Sequence, residues 1–313
     1  MSIVHVLSHV VVLVIWFEVP RAVKCRVHLV DFAENYIEMV GEQPYSKGTR
    51  FVRWYTLAFC FVLAPFLVVI WCNYILRKPF LTHGPSHLLQ LVNVISSVVV
   101  FDIACMIVRD LASNVAAKLK EELDSDRMTA SRLEEFRLAW LNLRQLTVDL
   151  GSMSLTGLSM VFYLLVIVTL TSYQSAVSYY NNNILLCFAS TGVLLVAQFA
   201  LIHICDTAHR LKDVMFTGFY EPLASKSWRV LPADLLTEHQ QFLHTISTNP
   251  AEVTFMGMIS IKRPTYLSIM AAIATYLIVL FQLRMSDEDL PTKATTNSTE
   301  SSLDSLFGSK TSN

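Results

Sequence analysis

The feature that most constrains this chain is an apolar stretch late in its sequence, residues 264–283. It carries no charged side chain before Arg284 and has the length, ~20 residues, that a helix needs to cross the hydrocarbon core of a membrane. Pro264 suits the first turn of a helix, where its missing N–H is not needed. Lys262 and Arg263 precede it and predict that this end faces the cytoplasm. The stretch therefore predicts the last membrane-spanning helix.

Three polar side chains interrupt this helix: Ser268, Thr275 and Gln282. Their spacing of nearly two whole turns places all three on one face. A polar face of this kind requires water or protein against it rather than lipid. A hydrogen bond from Gln282 to a neighbouring helix would satisfy that requirement. If copies of the helix surround an axis, the same face would instead line a pore.

The C-terminal part of this helix resembles the signature of insect gustatory receptors, which is Thr-Tyr, five hydrophobic residues, then Gln-Phe. Here the signature is Thr275-Tyr276, five apolar residues and Gln282, with Leu283 in place of Phe. The resemblance implies an all-α polytopic membrane protein that acts as a ligand-gated, nonselective cation channel of four subunits, homomeric or heteromeric, in the plasma membrane. It also implies that Ser268, Thr275, Gln282 and Leu283 form the pore and gate, where an apolar ring can close the pore by dewetting.

Composition supports the membrane class. The 313 residues are 53% hydrophobic and 16% charged, with a mean hydropathy of +0.47, which is too apolar for an ordinary soluble domain. The net charge of −1, with no basic face, argues against nucleic acid as a partner. The six cysteines form no CxxC pair, so neither a disulfide framework nor a zinc site is indicated.

Six stretches predict membrane spans: residues 3–19, 55–76, 88–108, 155–179, 184–205 and 265–283. The loops after the first, third and fifth spans contain 19 of the 24 basic residues, so the positive-inside rule predicts that these loops are cytoplasmic and that both termini are extracellular. The resembled family has seven spans and a cytoplasmic N-terminus, so the six correspond to its second to seventh and the first is expected to be missing. The helical domain is expected to cover residues 1–285.

The tail, residues 286–313, is rich in Ser and Thr and is predicted to be disordered. It contains the sequon Asn297-Ser298-Thr299, which can be glycosylated only if the tail is extracellular.

The long loop after the third span predicts an amphipathic helix. Apolar residues recur there at helical spacing: Leu133, Phe136, Trp140, Leu143 and Leu150. A similar stripe at Phe242, Leu243 and Ile246 offers a partner within the chain. In the resembled family these loop helices form an anchor that joins four subunits, so packing within the chain and packing between subunits both stay open.

For ligand binding, the family places a pocket among the outer halves of its second to sixth helices. Amphipathic aromatic and neutral polar side chains there suit a small tastant: Trp71, Tyr74, Asn93, Tyr173 and Gln174. Each is also compatible with ordinary packing. The signature is shared by sugar, bitter, fructose and carbon dioxide receptors, so it does not indicate the tastant. The other partners implied are membrane lipid and further receptor subunits.

Other classes fit less well. A G-protein-coupled receptor would place the basic loops and the tail on the opposite sides, and a secondary transporter should show an internal repeat. An enzyme would need a catalytic constellation, a bound metal or a cofactor, and the sequence indicates none of these. Two ionisable side chains lie inside spans, Asp102 and His203, and we interpret them as structural groups that reach the interface or pair locally.

Overall fold

The described part of the protein consists almost entirely of long helices. A computed structural model describes residues 3–41, 84–125, 128–152, 154–226, 232–255, 257 and 259–283. The helices are α1 (Ile3–Val40), α2 (Gly84–Asp124), α3 (Ala130–Ser152), α4 (Ser154–Tyr180), α5 (Ile184–Ser225), α6 (Ala233–Thr248) and α7 (Arg263–Leu283). A short antiparallel pair, β1 (Thr254–Phe255) and β2 (Ile259–Ser260), precedes α7.

The helices are compatible with the predicted spans but several are longer. Among the described residues, three helices are long and apolar enough to cross a membrane: α4 over Thr156–Tyr180, α5 over Leu186–Ser225, and α7. The predicted spans 3–19 and 88–108 lie within α1 and α2, whereas 55–76 and the tail 286–313 lie outside the described residues. The all-helical prediction is thus confirmed.

Helices α2 and α5 continue well past the apolar stretches that predicted them. They contain 41 and 42 residues, and a rise of 1.5 Å per residue makes each about 60 Å long. The continuation of α2 is rich in Ala, Leu, Lys and Glu, which are strong helix formers. Its apolar residues recur at four-residue steps and are buried: Leu111, Val115, Leu119 and Leu123. The packed stripe therefore keeps this part of α2 helical.

The connection between α4 and α5 is a tight turn of three asparagines. Asn182 adopts φ 54°, a left-handed conformation that asparagine tolerates better than most residues. Asn183 caps α5, its side-chain oxygen accepting from the Leu186 N–H at 3.4 Å. This turn separates the predicted spans 155–179 and 184–205.

The amphipathic stripe predicted for the third-span loop is the buried face of α3. Phe136, Leu143 and Trp140 are at most 1% exposed, and the Trp140 Nε1–H donates to the Met215 carbonyl of α5 at 2.9 Å. Helix α6 packs on the same core. Arg137 of α3 pairs with Glu238 of α6, with Nε and Oε1 2.5 Å apart. Packing within the chain is therefore found, and the subunit interface stays a prediction.

The described residues fall into two compact units. One ends at Leu267 and includes α1 to α6, the β pair and the first turn of α7. The other begins at Ser268 and contains the rest of α7. The base of α7, residues 263–267, therefore belongs to the same unit as the helices that precede it.

Candidate functional site

The predicted pore face of α7 is exposed. Ser268, Thr275 and Gln282 all have exposed side chains, and Leu283 is 61% exposed. Only 6% of the apolar stretch of α7 is buried inside the chain, against 28% in α4 and 29% in α5. Helix α7 thus presents both polar and apolar side chains that require lipid, water or other protein to contact them.

An ion-pair network fixes the base of α7. The Arg263 Nε–H donates to Asp206 Oδ1 at 2.8 Å, and Arg210 Nε lies 2.7 Å from Asp206 Oδ2. Asp206 belongs to α5, and its two carboxylate oxygens each contact one of these arginines. Within the described ranges, no group of three or more His, Cys, Asp or Glu side chains could hold a metal ion.

A second polar network holds the segment around the β pair to α5. Glu252 Oε1 lies 2.5 Å from Lys212 Nζ, and Glu252 Oε2 accepts from the Ser260 hydroxyl at 2.7 Å. The Lys212 ammonium and the Ser260 hydroxyl hold the pKa of Glu252 below its ordinary value. The Thr265 hydroxyl of α7 donates to the Ser260 carbonyl at 2.8 Å. This network links α5, the β pair and the base of α7.

Asp102 and His203, interpreted from sequence as structural groups, pair with each other. Asp102 of α2 is 1% exposed, and its Oδ2 lies 3.0 Å from His203 Nε2 of α5. Its Oδ1 accepts from the Thr207 hydroxyl at 2.6 Å. Both carboxylate oxygens therefore bond to α5, as a buried carboxylate requires. The pair joins α2 to α5.

The predicted ligand-binding residues are only partly described. Tyr173 is half-buried on α4, and its neighbour Gln174 is exposed, with Nε2 donating to the Ser178 hydroxyl at 3.2 Å. Trp71, Tyr74 and the side chain of Asn93 lie outside the described part of the chain, as does the predicted glycosylation site Asn297. This ligand pool and the glycosylation site stay predictions.

Two arrangements were not foreseen from sequence. Glu18, 4% exposed, accepts from the Thr156 N–H at 2.8 Å and so caps the first turn of α4 with a carboxylate. In the sequence, the only indication of this contact was a single carboxylate near the end of the first apolar stretch. The other is a cleft of about 1140 Å³ between α2 and α5, whose lining includes Ala116, Gly218 and Lys120. Its only sequence signal was a run of small residues.

Comparison with known proteins places these features in a family. A family model described as 7tm Chemosensory receptor matches residues 1–287. The chain is 31% identical over 170 residues to Gustatory and odorant receptor 24 of Anopheles gambiae, an alignment that covers 52% of this chain and 36% of that protein. It is 22% identical over 281 residues to Gustatory and odorant receptor 22 of the same organism, covering 87% of this chain and 58% of the relative.

A solved structure supports the same fold. The insect olfactory receptor OR5 from Machilis hrabei matches with a TM-score of 0.53 at 13% identity, covering 90% of this chain and 82% of that one. At such low identity the match concerns the fold alone. The family is one of receptors rather than enzymes. With a family model matching nearly the whole chain, this protein belongs to the 7tm chemosensory receptor family.

Proposed function

We propose that this protein is a gustatory receptor that acts as a ligand-gated, nonselective cation channel, with α7 lining the pore of an assembly of four subunits. The observation that carries the proposal is that α7 is largely exposed and has a polar face. Because only 6% of the apolar stretch of α7 is buried in its own chain, most of its side chains have surface left for other partners. Lipid suits the apolar side chains. The Thr275 hydroxyl donates to the Ala271 carbonyl of its own helix, whereas the exposed amide of Gln282 suits water or protein better than lipid.

The gate is formed by two adjacent residues near the end of α7. Four copies of Leu283 around an axis make an apolar constriction, which excludes water when narrow. Four copies of Gln282 beside it offer amide oxygens to a passing cation. Binding of a small tastant among the outer parts of the helices shifts α7, withdraws the Leu283 side chains and lets water and cations pass.

The assembly lies in the plasma membrane with its basic loops in the cytoplasm and its C-terminal tail outside. The distribution of basic residues supports this orientation. Helices α3 and α6, whose inner faces are buried against their own chain, keep outer faces with which to contact neighbouring subunits. The chain aligns with 36% and 58% of the lengths of the two mosquito relatives, so its activity as a separate unit belongs to the proposal.

The decisive experiment replaces the constriction and needs no known tastant. In cells expressing the chain, Leu283→Ser should wet the gate and raise the unstimulated cation current, while Leu267→Ser, an equally exposed leucine at the other end of α7, should not. Both proteins are quantified at the cell surface. Surface protein with Leu283→Ser and an unstimulated current equal to that of the native chain would refute the gate.

A companion experiment tests selectivity and ligand response. Currents evoked by a panel of sugars and bitter compounds are recorded for the native chain and for Gln282→Ala, and relative permeabilities to Na⁺, K⁺ and Ca²⁺ are compared. Gln198→Ala, which changes a half-buried glutamine in α5, is the matched control. The proposal expects altered permeability only in Gln282→Ala.

Orientation is tested by glycosylation at Asn297. Endoglycosidase treatment should shift the gel mobility of the native chain but not that of Asn297→Gln. An unglycosylated, surface-expressed native chain whose tail is protected from external protease would reverse the proposed topology and favour a G-protein-coupled arrangement.

A further inference from the structure

Two glycines at the junction of α3 and α4 make room for the β pair. A Cβ on Gly151 would lie 2.6 Å from the Thr254 carbonyl oxygen and 3.0 Å from its backbone nitrogen. A Cβ on Gly157 would lie 2.4 to 2.8 Å from three ring carbons of Phe255. Contacts under 3.0 Å essentially never occur for real Cβ atoms, so something must shift if either glycine is replaced. We call Gly151 and Gly157 the glycine seat.

The segment that occupies this seat, residues 251–261, is called the hairpin below. Three of its apolar side chains belong to the core. Val253 and Phe255 are each 1% exposed, and Ile261 is 4% exposed. The Phe255 ring also meets Phe101 of α2 edge-on, with centroids 5.9 Å apart. The ring is therefore enclosed between α4 on one side and α2 on the other, and a close-packed ring cannot move alone.

The hairpin is joined directly to the base of α7. The Ile261 N–H donates to the Val253 carbonyl at 3.0 Å, which closes the segment on itself. The Thr265 hydroxyl donates to the Ser260 carbonyl, and Arg263 binds Asp206 of α5. Helix α7 runs without interruption from Arg263 to Leu283, so the backbone that leaves the hairpin continues directly into the pore helix.

The same junction is the root of α4, which carries the predicted ligand residues Tyr173 and Gln174. Glu18 of α1 holds the first turn of α4 through Thr156. A displacement of α4 therefore moves Gly157, and the Phe255 ring lies against Gly157. These contacts form one continuous series from α4 through the hairpin to the base of α7.

From this series we infer that the hairpin is the coupling element between α4 and the pore helix, and that Gly151, Gly157 and Phe255 are positioning residues for α7. The inference rests on the proposed function of α7, and it adds the route by which movement reaches that helix. The proposed coupling is steric. The ring of Phe255 is a wedge between α2 and α4, and its position is set by the absence of a side chain at residue 157.

The experiment measures the state of α7 without a tastant and without current. Gln282→Cys is introduced into the full chain, and its rate of labelling by a maleimide reagent is measured in native membranes. The labelling rate of the chain without this substitution, which reports the native cysteines, is subtracted. Gly157→Ala should push the wedge away and change the Cys labelling rate at position 282 by about tenfold. Phe255→Leu, which removes the outer ring carbons, should restore the rate in the double variant to within about twofold of the Gln282→Cys reference.

The matched control is Gly218→Ala, another glycine-to-alanine change in a helix of the same unit. A Cβ on Gly218 would lie 3.3 Å from the Cβ of Ala116, tight but distant from the hairpin in sequence. It should leave the labelling rate at position 282 within about twofold. An equal effect of Gly218→Ala would show that general packing, rather than the hairpin, controls α7, and would overturn the inference.

Hydrogen exchange shows whether the Gly157→Ala variant is folded and which residues the substitution loosens. In Gly157→Ala, exchange should accelerate in residues 259–267 and stay unchanged in α3 away from the junction. Phe255→Leu alone, a milder change, should loosen the same residues. Faster exchange there with an unchanged labelling rate at position 282 would mean that the hairpin moves without α7, and would refute the coupling.

The two proposals fail separately. If Leu283→Ser raises no current while labelling at position 282 responds to Gly157→Ala and is restored by Phe255→Leu, the channel is refuted and the coupling stands. If Leu283→Ser opens the channel while labelling ignores Gly157→Ala, the channel stands and the hairpin is not the route.

Discussion

Trp140 offers the most direct test of the packed core, through Trp140→Phe. The indole is 1% exposed and its Nε1–H donates to the Met215 carbonyl, so it ties α3 to α5 at the centre of the unit. Phenylalanine keeps the aromatic character of the site but removes the donor and part of the volume. The substitution therefore isolates two separable losses.

The magnitude follows from those two losses. A phenyl ring is roughly 40 Å³ smaller than an indole, and at about 24 cal/mol per Å³ of residual cavity this costs ~1 kcal/mol. The lost hydrogen bond contributes about another 1 kcal/mol. A free-energy loss of ~2 kcal/mol should lower the melting temperature by about 4 °C, at the low end of the scale for 150–250 residues because a longer chain has a larger unfolding entropy.

The assay is thermal unfolding in detergent, read by fluorescence-detected size-exclusion chromatography. Trp16→Phe is the matched control, because Trp16 is 74% exposed on α1 and its replacement should change the stability by less than about 0.5 kcal/mol. Equal melting temperatures for Trp140→Phe and Trp16→Phe would refute the reasoning. They would mean that the α3–α5 contact does not contribute to the unit that melts.

Three further predictions concern charged or ionisable groups. The Arg132 guanidinium holds the pKa of Glu122 below its ordinary value, so this ion pair stabilises the folded chain while Glu122 is ionised. Arg132→Gln should therefore destabilise the chain by up to about 1 kcal/mol above pH ~4.5, and this difference from the native chain should vanish as the pH falls through the lowered pKa. Melting temperatures of both chains between pH 3 and 7, converging at the acid end, would check this. Burial lowers the pKa of His239, so below its ordinary pKa of about 6.5 the unfolded chain binds a proton that the folded chain resists, and stability should fall as the pH drops. His239→Gln should flatten the stability profile between pH 7 and 5, and an unchanged slope would contradict the assignment. Asp102→Ala should lower the free energy of unfolding by about 1–3 kcal/mol, because it leaves the buried Thr207 hydroxyl without its acceptor. Asp102→Asn keeps one acceptor oxygen and should lower the free energy of unfolding by less. Equal losses of surface protein in the two variants would contradict this.

The sequence predicted what depends on local spacing. Phe136 and Trp140 recur at helical steps, and the structure buries both because a periodic stripe has one face whatever lies against it. The exposure of Gln282 follows in the same way from the pattern within α7. That Gln282 lines a pore depends on neighbouring subunits and stays a prediction.

Contacts between distant residues were beyond local reasoning. Asp102 and His203 lie 101 residues apart in the chain, and their hydrogen bond depends on how α2 and α5 pack. Each was recognised as an intramembrane ionisable group, yet neither pattern names its partner. The seating of Phe255 on Gly157 is of the same kind, because an isolated glycine in a helix indicates a close approach without saying of what.

The glycine seat also has a consequence for biosynthesis. Phe255 is added about a hundred residues after Gly157, which at ~5–20 residues per second leaves the seat empty for ~5–20 s while the chain is made. Glu18, in contrast, is already synthesised when Thr156 emerges, so α4 can be capped at once. During that interval α2 and α4 surround a space that only the later segment fills. The seat of Phe255 is therefore filled only just before α7 is made, late in the synthesis of the chain.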